Sequence, residues 1–345
     1  MKAIALTQYL PIENPESLLD VQLDKPAPQG RDLLVEIKAI GVNPVDVKVR
    51  APKDTTEKAP RVLGWDAAGV VQAVGPEVSR FKVGDRVFYA GDITRPGSNS
   101  EFQLVDERIV GNMPQSLSFE QAAALPLTTI TAWEALFERL RIPPTFAPTP
   151  PATTASAKSI LIIGGAGGVG SIAIQLAVKV AGLTVIATAS RPESEKWVRE
   201  LGAQHVINHF GDLPAQLKQQ GFDNVDYVLI LNDTDRHFPA AAAAVAPQGM
   251  ICTIVENSGP LDVSLLKAKS AGFIWEFMFT RSMFQTADMQ QQGNLLDQVA
   301  RLIDKQVVVT TVNQVLSPIN AANLRQAHAT LEGGRAIGKI VLKDF

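Results

Sequence analysis

Sulfur and imidazole are scarce in this chain. Of 345 residues one is cysteine, Cys252, and four are histidine, the first of them His205. A lone thiol makes no internal disulfide, which fits a reducing, cytoplasmic setting. Inside the apolar run MICTIV it reads as a buried, inert thiol. A four-cysteine zinc lobe is impossible, and everything before His205 can supply neither a Cys nor a His ligand. His205 and His209 fall in one strand–loop stretch, while His237 and His328 stand alone, so no metal site is expected. Long hydrophobic runs are absent too. No window reaches the roughly 18 apolar residues of a membrane helix, and MKAIALTQYL lacks the apolar core and cleavage site of a secretory signal. Positive charge is not in excess either: the formal net charge is −3. Neither nucleic acid nor a membrane is therefore an expected partner.

What is present is ordinary globular material, 46% hydrophobic and 19% charged, long enough for two domains. Residues 1–110 alternate short β-like runs with Pro, Gly and Asp: KAIAL (2–6), LLVEIKAIGV (33–42), AAGVVQAVG (67–75), DRVFYAG (85–91). Such runs predict an antiparallel barrel or sandwich. SFEQAAALPLTTITAWEALFERL (118–140) reads as helix, break at Pro126, helix. PPTFAPTPPATTAS (143–156) reads as an extended, solvated connector. From 159 the pattern becomes strand, helix, strand. KSILIIGG is a continuous apolar run of the kind covered on both faces, and LTVIATAS, HVINH, VDYVLILN and MICTIV continue the series between helical stretches. This predicts an α/β doubly wound parallel sheet. The tail from 307 returns to β-like runs and can complete the N-terminal domain, making that domain discontinuous.

GGAGGVG (164–170) lies between a buried strand and a helix. Glycine there lets backbone N–H groups approach a pyrophosphate at a helix N-terminus, where the dipole favours negative charge. Gly165, Gly167, Gly168 and Gly170 give G-x-G-G-x-G, an imperfect fit to the dinucleotide fingerprint, and tight strand–helix packing also uses glycine. An NAD site carries Asp or Glu about 20 residues on. Here the segment is TASRPES, which offers Ser190 and Arg191 and no acid before Glu193. Arginine suits a 2′-phosphate, so NADPH is the expected cofactor.

GVNPVDVKVR, LGWDAAG, VGDRVF, GSNSEF, AAALPLTTITAWEAL and GGAGGVG occur in that order along nearly the whole chain. Together they resemble the medium-chain dehydrogenase/reductase superfamily, and most closely its zinc-free quinone oxidoreductase branch, some of whose members are labelled zinc-type alcohol dehydrogenase-like. The resemblance implies a β-rich GroES-like catalytic domain (1–125 and 300–345) split around a Rossmann domain (126–299), with the active site in the cleft between them. In zinc-dependent relatives a cysteine occupies the place of Asn43 and a histidine that of Trp65. Neither residue here can replace them, and a zinc-independent site is expected.

The same resemblance nominates residues for the site. Asn43 would face the nicotinamide ribose or the substrate oxygen; the bland alternative is a helix N-cap, with Pro44 at the first helical position and Asp46 in the first turn. Trp65 would fill the lost ligand's volume, with substrate contact or plain packing both open, and Asp66 would pair with a cation or with backbone donors. Thr131 matches a threonine near the nicotinamide, and Gly168 and Val169 match backbone donors to pyrophosphate. Lys196 supports the 2′-phosphate or is a solvated helix lysine. His209 stands where quinone oxidoreductases often carry tyrosine beside the adenosine. Gly338 and Lys339 match a segment that returns to the cleft.

Phe273, Trp275, Phe277 and Phe279 alternate, which predicts a strand with one apolar face. Core, substrate wall and subunit interface all remain possible uses, and the family's habit of pairing an edge strand between subunits suggests a homodimer. Without a Lewis acid, hydride transfer from NADPH to a quinone or α,β-unsaturated carbonyl is the expected reaction. The alternatives are an NADPH-binding protein of low turnover with a structural or RNA-associated role, and an alcohol dehydrogenase-like enzyme.

Overall fold

A computed structural model describes residues 1–145 and 158–345. The expected connector at 143–156 lies almost wholly outside the described residues. The chain divides into two compact units, Met1–Ile130 with Phe279–Phe345, and Thr131–Met278.

The second unit is built on six parallel strands: β1 (Ser159–Ile163), β2 (Thr184–Thr188), β3 (His205–Ile207), β4 (Val225–Ile230), β5 (Val245–Thr253) and β6 (Gly272–Trp275). Their order in the sheet is β3-β2-β1-β4-β5-β6, the doubly wound arrangement expected from the alternating pattern. Burial explains why β1 reads as unbroken hydrophobicity: Ile160, Leu161, Ile162 and Ile163 are all sealed, because helices cover both faces of a parallel sheet. The order reverses beside β1, and the helix Gly168–Lys179 leaves the end of that strand.

The aromatic alternation does not make one strand. β6 stops at Trp275, the next residue Glu276 is buried, and Phe279 already belongs to the first unit, where it packs edge-on against Trp65 with ring centroids 6.2 Å apart. Period two carries on through the residues, but the backbone turns beneath it.

The first unit is β-rich, as its short punctuated runs predict. Among the described residues one of its sheets runs Val312–Leu316, Lys339–Lys343, Asp32–Val42, Ala67–Val74, Arg86–Tyr89, Gly111–Asn112, with Phe102–Asp106 added on Asp32–Val42. A second sheet orders Leu19–Gln22, Lys2–Tyr9, Lys53–Val62. The C-terminal strand Lys339–Lys343 pairs antiparallel with the far end of Asp32–Val42, so the tail does complete this unit. The division after Met278 differs from the expected one after residue 299. The helix Gln290–Asp304 is tied into the first unit by Asp297, which accepts from Arg80 at 3.1 Å and from the Asn112 backbone at 2.8 Å, and by Asp304, which accepts from the Ser116 backbone at 2.9 Å.

The helix Pro44–Arg50 starts as the N-cap reading predicts: Asn43 is extended, Pro44 opens the helix, and Asp46 accepts the Asn43 backbone N–H at 2.6 Å. At its other end the buried Arg50 bonds Leu10 and His328 and pairs with Glu332, fastening it to the C-terminal helix Ala321–Glu332. After Pro126, helix Pro126–Trp133 runs on into a π-helical stretch, Glu134–Arg139, with Leu140 N–H reaching back five residues to Ala135.

Candidate functional site

In the second unit, strand β1 ends in a glycine turn. Gly164 has φ +89°, a left-handed conformation glycine adopts without cost, and its N–H donates to the Thr188 hydroxyl at 3.0 Å. The turn is too tight for side chains at two further places. A Cβ on Gly170 would stand 2.5 Å from the Gly164 carbonyl oxygen and 2.6 Å from that of Gly165; one on Gly165 would stand 3.0 Å from the Ala187 Cβ. Gly167 is the N-cap of Gly168–Lys179 and has no side chain to offer the helix, and no other side chain caps it. The N–H groups of Gly168 and Val169 therefore have no intrahelical acceptor, in a half-buried position at the positive end of a twelve-residue helix. Ser171 locks the turn from behind, bonding the Gly167 carbonyl at 2.7 Å and receiving the Trp197 indole N–H at 2.8 Å. The donors fit an anionic group.

Ser190 and Arg191 follow β2 after Ala189, and Arg191 is the N-cap residue of the helix Pro192–Glu200. Both are half-buried, with the Arg191 Nε 3.7 Å from Glu193. The first acid after this strand is Glu193, beyond Arg191 and Pro192. Lys196 is largely exposed and pairs loosely with Glu200, which is the solvated-lysine alternative. His209 sits just beyond β3, half-buried, its ring 6.3 Å from that of His237 and its Nδ1 without a bonding partner. Burial, and then the nearby Arg236, lower its pKa, keeping the imidazole neutral. Thr131 is buried on Pro126–Trp133.

The other expected residues meet in the first unit, in a sealed polar centre. Lys339, on the C-terminal strand, is 3% exposed. Its ammonium donates to the Val42 carbonyl at 3.0 Å, to Asp66 Oδ2 at 2.8 Å and to Asn43 Oδ1. Asn43 Nδ2 donates in turn to Asp66 Oδ2 at 2.9 Å and, more weakly, to the Trp65 carbonyl at 3.4 Å. Asp66 Oδ1 accepts the Leu127 backbone N–H at 2.7 Å. Burial pushes the Asp66 carboxyl upward and Lys339 opposes it. The Lys339 ammonium, the Asn43 amide and the Leu127 N–H all donate to its two oxygens, so the ionised form is the one this geometry accommodates. Asp46, also buried, is pushed up to about 7 by burial, against the Asn43 N–H bond and Lys339.

This arrangement commits the side chains of three of the expected residues within the first unit. Asn43 is 1% exposed with its amide committed at both ends, so it presents no polar atom to a substrate oxygen or ribose. Lys339 spends its three N–H donors inside the unit, leaving none for a cofactor. Trp65 is 1% exposed, its indole N–H donating to the Asp92 carbonyl at 3.3 Å and its ring against Phe279, which is the packing alternative. The centre does not suit a metal either. An amide oxygen already held by an ammonium, an indole without a free lone pair and a fully bonded carboxylate are not a zinc donor set. Among the described residues no three His, Cys, Asp or Glu side chains are grouped to hold a metal ion.

The sequence does carry a signal for Lys339. A lysine between Gly338 and the apolar run IVL is out of place in a buried strand unless it finds an anion. Which anion it finds cannot be read there, because its partners lie hundreds of residues away.

Comparison with known proteins adds the family. The alcohol dehydrogenase GroES-like domain matches residues 29–125, and the zinc-binding dehydrogenase domain matches 201–342. A zinc-type alcohol dehydrogenase-like protein of Staphylococcus epidermidis (strain ATCC 12228 / FDA PCI 1200) is 40% identical over 342 residues, covering 99% of both chains. The 2-methylene-furan-3-one reductase of Solanum lycopersicum is 30% identical, over 99% of this chain and 79% of its own. Among solved structures, one named for the zinc-dependent alcohol dehydrogenases, from Rhizobium etli CFN 42, is 51% identical with a TM-score of 0.93, covering 100% of this chain and 98% of its own. Escherichia coli quinone oxidoreductase complexed with NADPH is 26% identical with a TM-score of 0.81, covering 99% and 100%.

Proposed function

The chain belongs to the medium-chain dehydrogenase/reductase superfamily, among its zinc-type alcohol dehydrogenase-like proteins, and from that premise we propose that it is an NADPH-dependent, zinc-independent oxidoreductase acting on quinones or α,β-unsaturated carbonyls. The observation that carries the reading is the uncapped glycine start of Gly168–Lys179 with Ser190 and Arg191, rather than an acid, at the end of β2. Gly168 and Val169 would donate to the pyrophosphate, and Gly165, Gly167 and Gly170 keep the turn open for it. Arg191 and Ser190 would take the 2′-phosphate through charge-assisted bonds. His209 would offer a neutral ring to the adenosine half. When bound, NADPH supplies the hydride, and the chain contributes binding, orientation and exclusion of water.

The substrate class follows from charge. A conjugated carbonyl spreads the negative charge that develops on hydride addition, so it needs less electrophilic help than a simple ketone. The tomato relative is named for reduction of an enone and the Escherichia coli one for a quinone, which supports the same class here. The test is NADPH oxidation across a panel of quinones, enones and simple aldehydes, with NADH run alongside. Turnover with quinones or enones and preference for NADPH are the expected results; turnover confined to simple alcohols and aldehydes would sink the substrate class.

Strand β6 closes the sheet at one edge, with Trp275 41% and Phe277 46% exposed beside it. We propose that a second copy of the chain covers this edge as a homodimer. No helix among the described residues is long and apolar enough to cross a membrane, and the reading takes the protein to work in the cytoplasm. Light scattering that gives the monomer mass at every concentration would exclude the dimer.

A further inference from the structure

A family model named for zinc binding matches this chain, yet the polar centre of the first unit holds a cation of its own. The Lys339 ammonium has three N–H donors and three oxygens to receive them: the Val42 carbonyl, Asn43 Oδ1 and Asp66 Oδ2. Two of the oxygens are neutral dipoles and one is a carboxylate, so the charge is matched one to one. The side chains of Lys339 and Asp66 are 3% and 0% exposed. Bulk solvent is therefore largely excluded from the ammonium.

We propose that this is a built cation site whose resident ion is the Lys339 side chain, taking the place of a metal in organising Asn43 and Asp66, and that removing the side chain leaves a site for a small primary ammonium ion. The lysine sets the direction of the Asn43 amide by occupying its oxygen, which turns the NH₂ group onto Asp66. Asp66 in turn holds the start of the helix Pro126–Trp133 through the Leu127 N–H. One ammonium thus connects the C-terminal strand, the cap of Pro44–Arg50 and the helix after Pro126. The other titratable group facing the centre is Asp46, whose carboxyl accepts the Asn43 backbone N–H and is pushed up to about 7 by burial. Lys339 opposes the burial of both acids. A metal would have to displace the ammonium and strip a carboxylate already holding three donors.

The proposal requires neither nucleotide nor substrate, so its test is independent of the enzymatic reading. Thermal melting of Lys339→Met, which keeps an unbranched side chain one atom shorter and removes the charge, is compared with Lys339→Met/Asp66→Asn, which removes both charges and keeps an acceptor for Leu127. We expect a large loss in the single variant and recovery of most of it in the double, because neutral partners no longer leave a bare buried charge. Where Lys339→Met does not accumulate folded, recovery of soluble folded protein in the double variant is read instead. A double variant that melts no higher than the single would overturn the assignment. Lys339→Ala melted with n-propylammonium or with equimolar 1-propanol separates charge from bulk. Stabilisation by the ammonium alone, absent in the unsubstituted protein, is expected, and equal effects of the two additives would overturn the created site.

Discussion

The two polar regions of this molecule are opposites. Around Asn43, Asp66 and Lys339 the donors and acceptors are spent on one another and sealed from water. At the glycine turn before Gly168–Lys179 the backbone is arranged so that donors stay unspent, with no capping side chain and half-buried N–H groups. The first region resembles a site only in its residue types. The second has little side-chain chemistry, yet it retains the hydrogen-bonding capacity that a ligand needs. Unspent polarity at an accessible place marks binding better than charged residues do.

Several substitutions would break or sharpen that contrast. The largest effect is expected from Asp66→Ala, which strands the Lys339 ammonium in a dry interior. Loss of one partner of a buried pair costs about 3–5 kcal/mol, to be read as a lowered denaturation midpoint. A loss below about 1 kcal/mol would mean the centre is wetter than its burial indicates. Next is Gly170→Ala, whose methyl meets two backbone oxygens. Overpacking of about 1–3 kcal/mol should weaken NADPH binding by roughly ten- to a hundredfold in a fluorescence titration. Unchanged affinity would show that the turn is not the pyrophosphate cradle.

Arg191→Ala should cost NADPH roughly tenfold in affinity and leave NADH nearly untouched, since one charge-assisted bond to phosphate is worth about 1.5 kcal/mol or more. Parallel losses for both nucleotides would remove Arg191 from the 2′-phosphate.

The smallest effect concerns pH. In the second unit Glu276 is buried behind β6, its Oε2 2.8 Å from Arg139 Nε, with Glu134 sharing the same guanidinium at 3.6 Å. Burial first, then the charge of Glu134, hold the Glu276 carboxyl well above the ordinary glutamate range. A folded state that keeps a proton the unfolded chain releases is most favoured at acid pH and loses stability as pH rises through and beyond that range. Glu276→Gln should therefore flatten the decline of melting temperature between mildly acidic and alkaline buffers. An unchanged slope would assign the decline to other groups. The same unit buries Cys252, whose thiol is pushed far up by burial; it should resist thiol reagents until the protein unfolds.

Legibility follows the range of the interactions. The sheet of the second unit is readable because parallel strands covered on both faces must be continuously apolar, as in SILII and VDYVLI, and because glycine at a strand–helix turn has few other uses. The N-cap at Asn43 is equally local. The aromatic series 273–279 misleads because period two is necessary for a strand but cannot show where the strand stops. Here the strand stops at Trp275, and the Glu276 side chain meets Arg139. The helix Gln290–Asp304 falls to the wrong unit by sequence because its amphipathic face does not say which surface it will cover; Asp297 and Asp304 decide that by meeting Arg80, Asn112 and Ser116.

By itself the sequence determined the alternation of strands and helices in the second unit and the place of its glycine turn, since each rests on spacing within about twenty residues. Tertiary structure alone decided the fate of Asn43, Trp65 and Lys339. Lys339 and Asp66 are 273 residues apart, and whether an ammonium, an amide and a carboxylate serve a ligand or one another depends on where the chain brings them and how well it keeps out water.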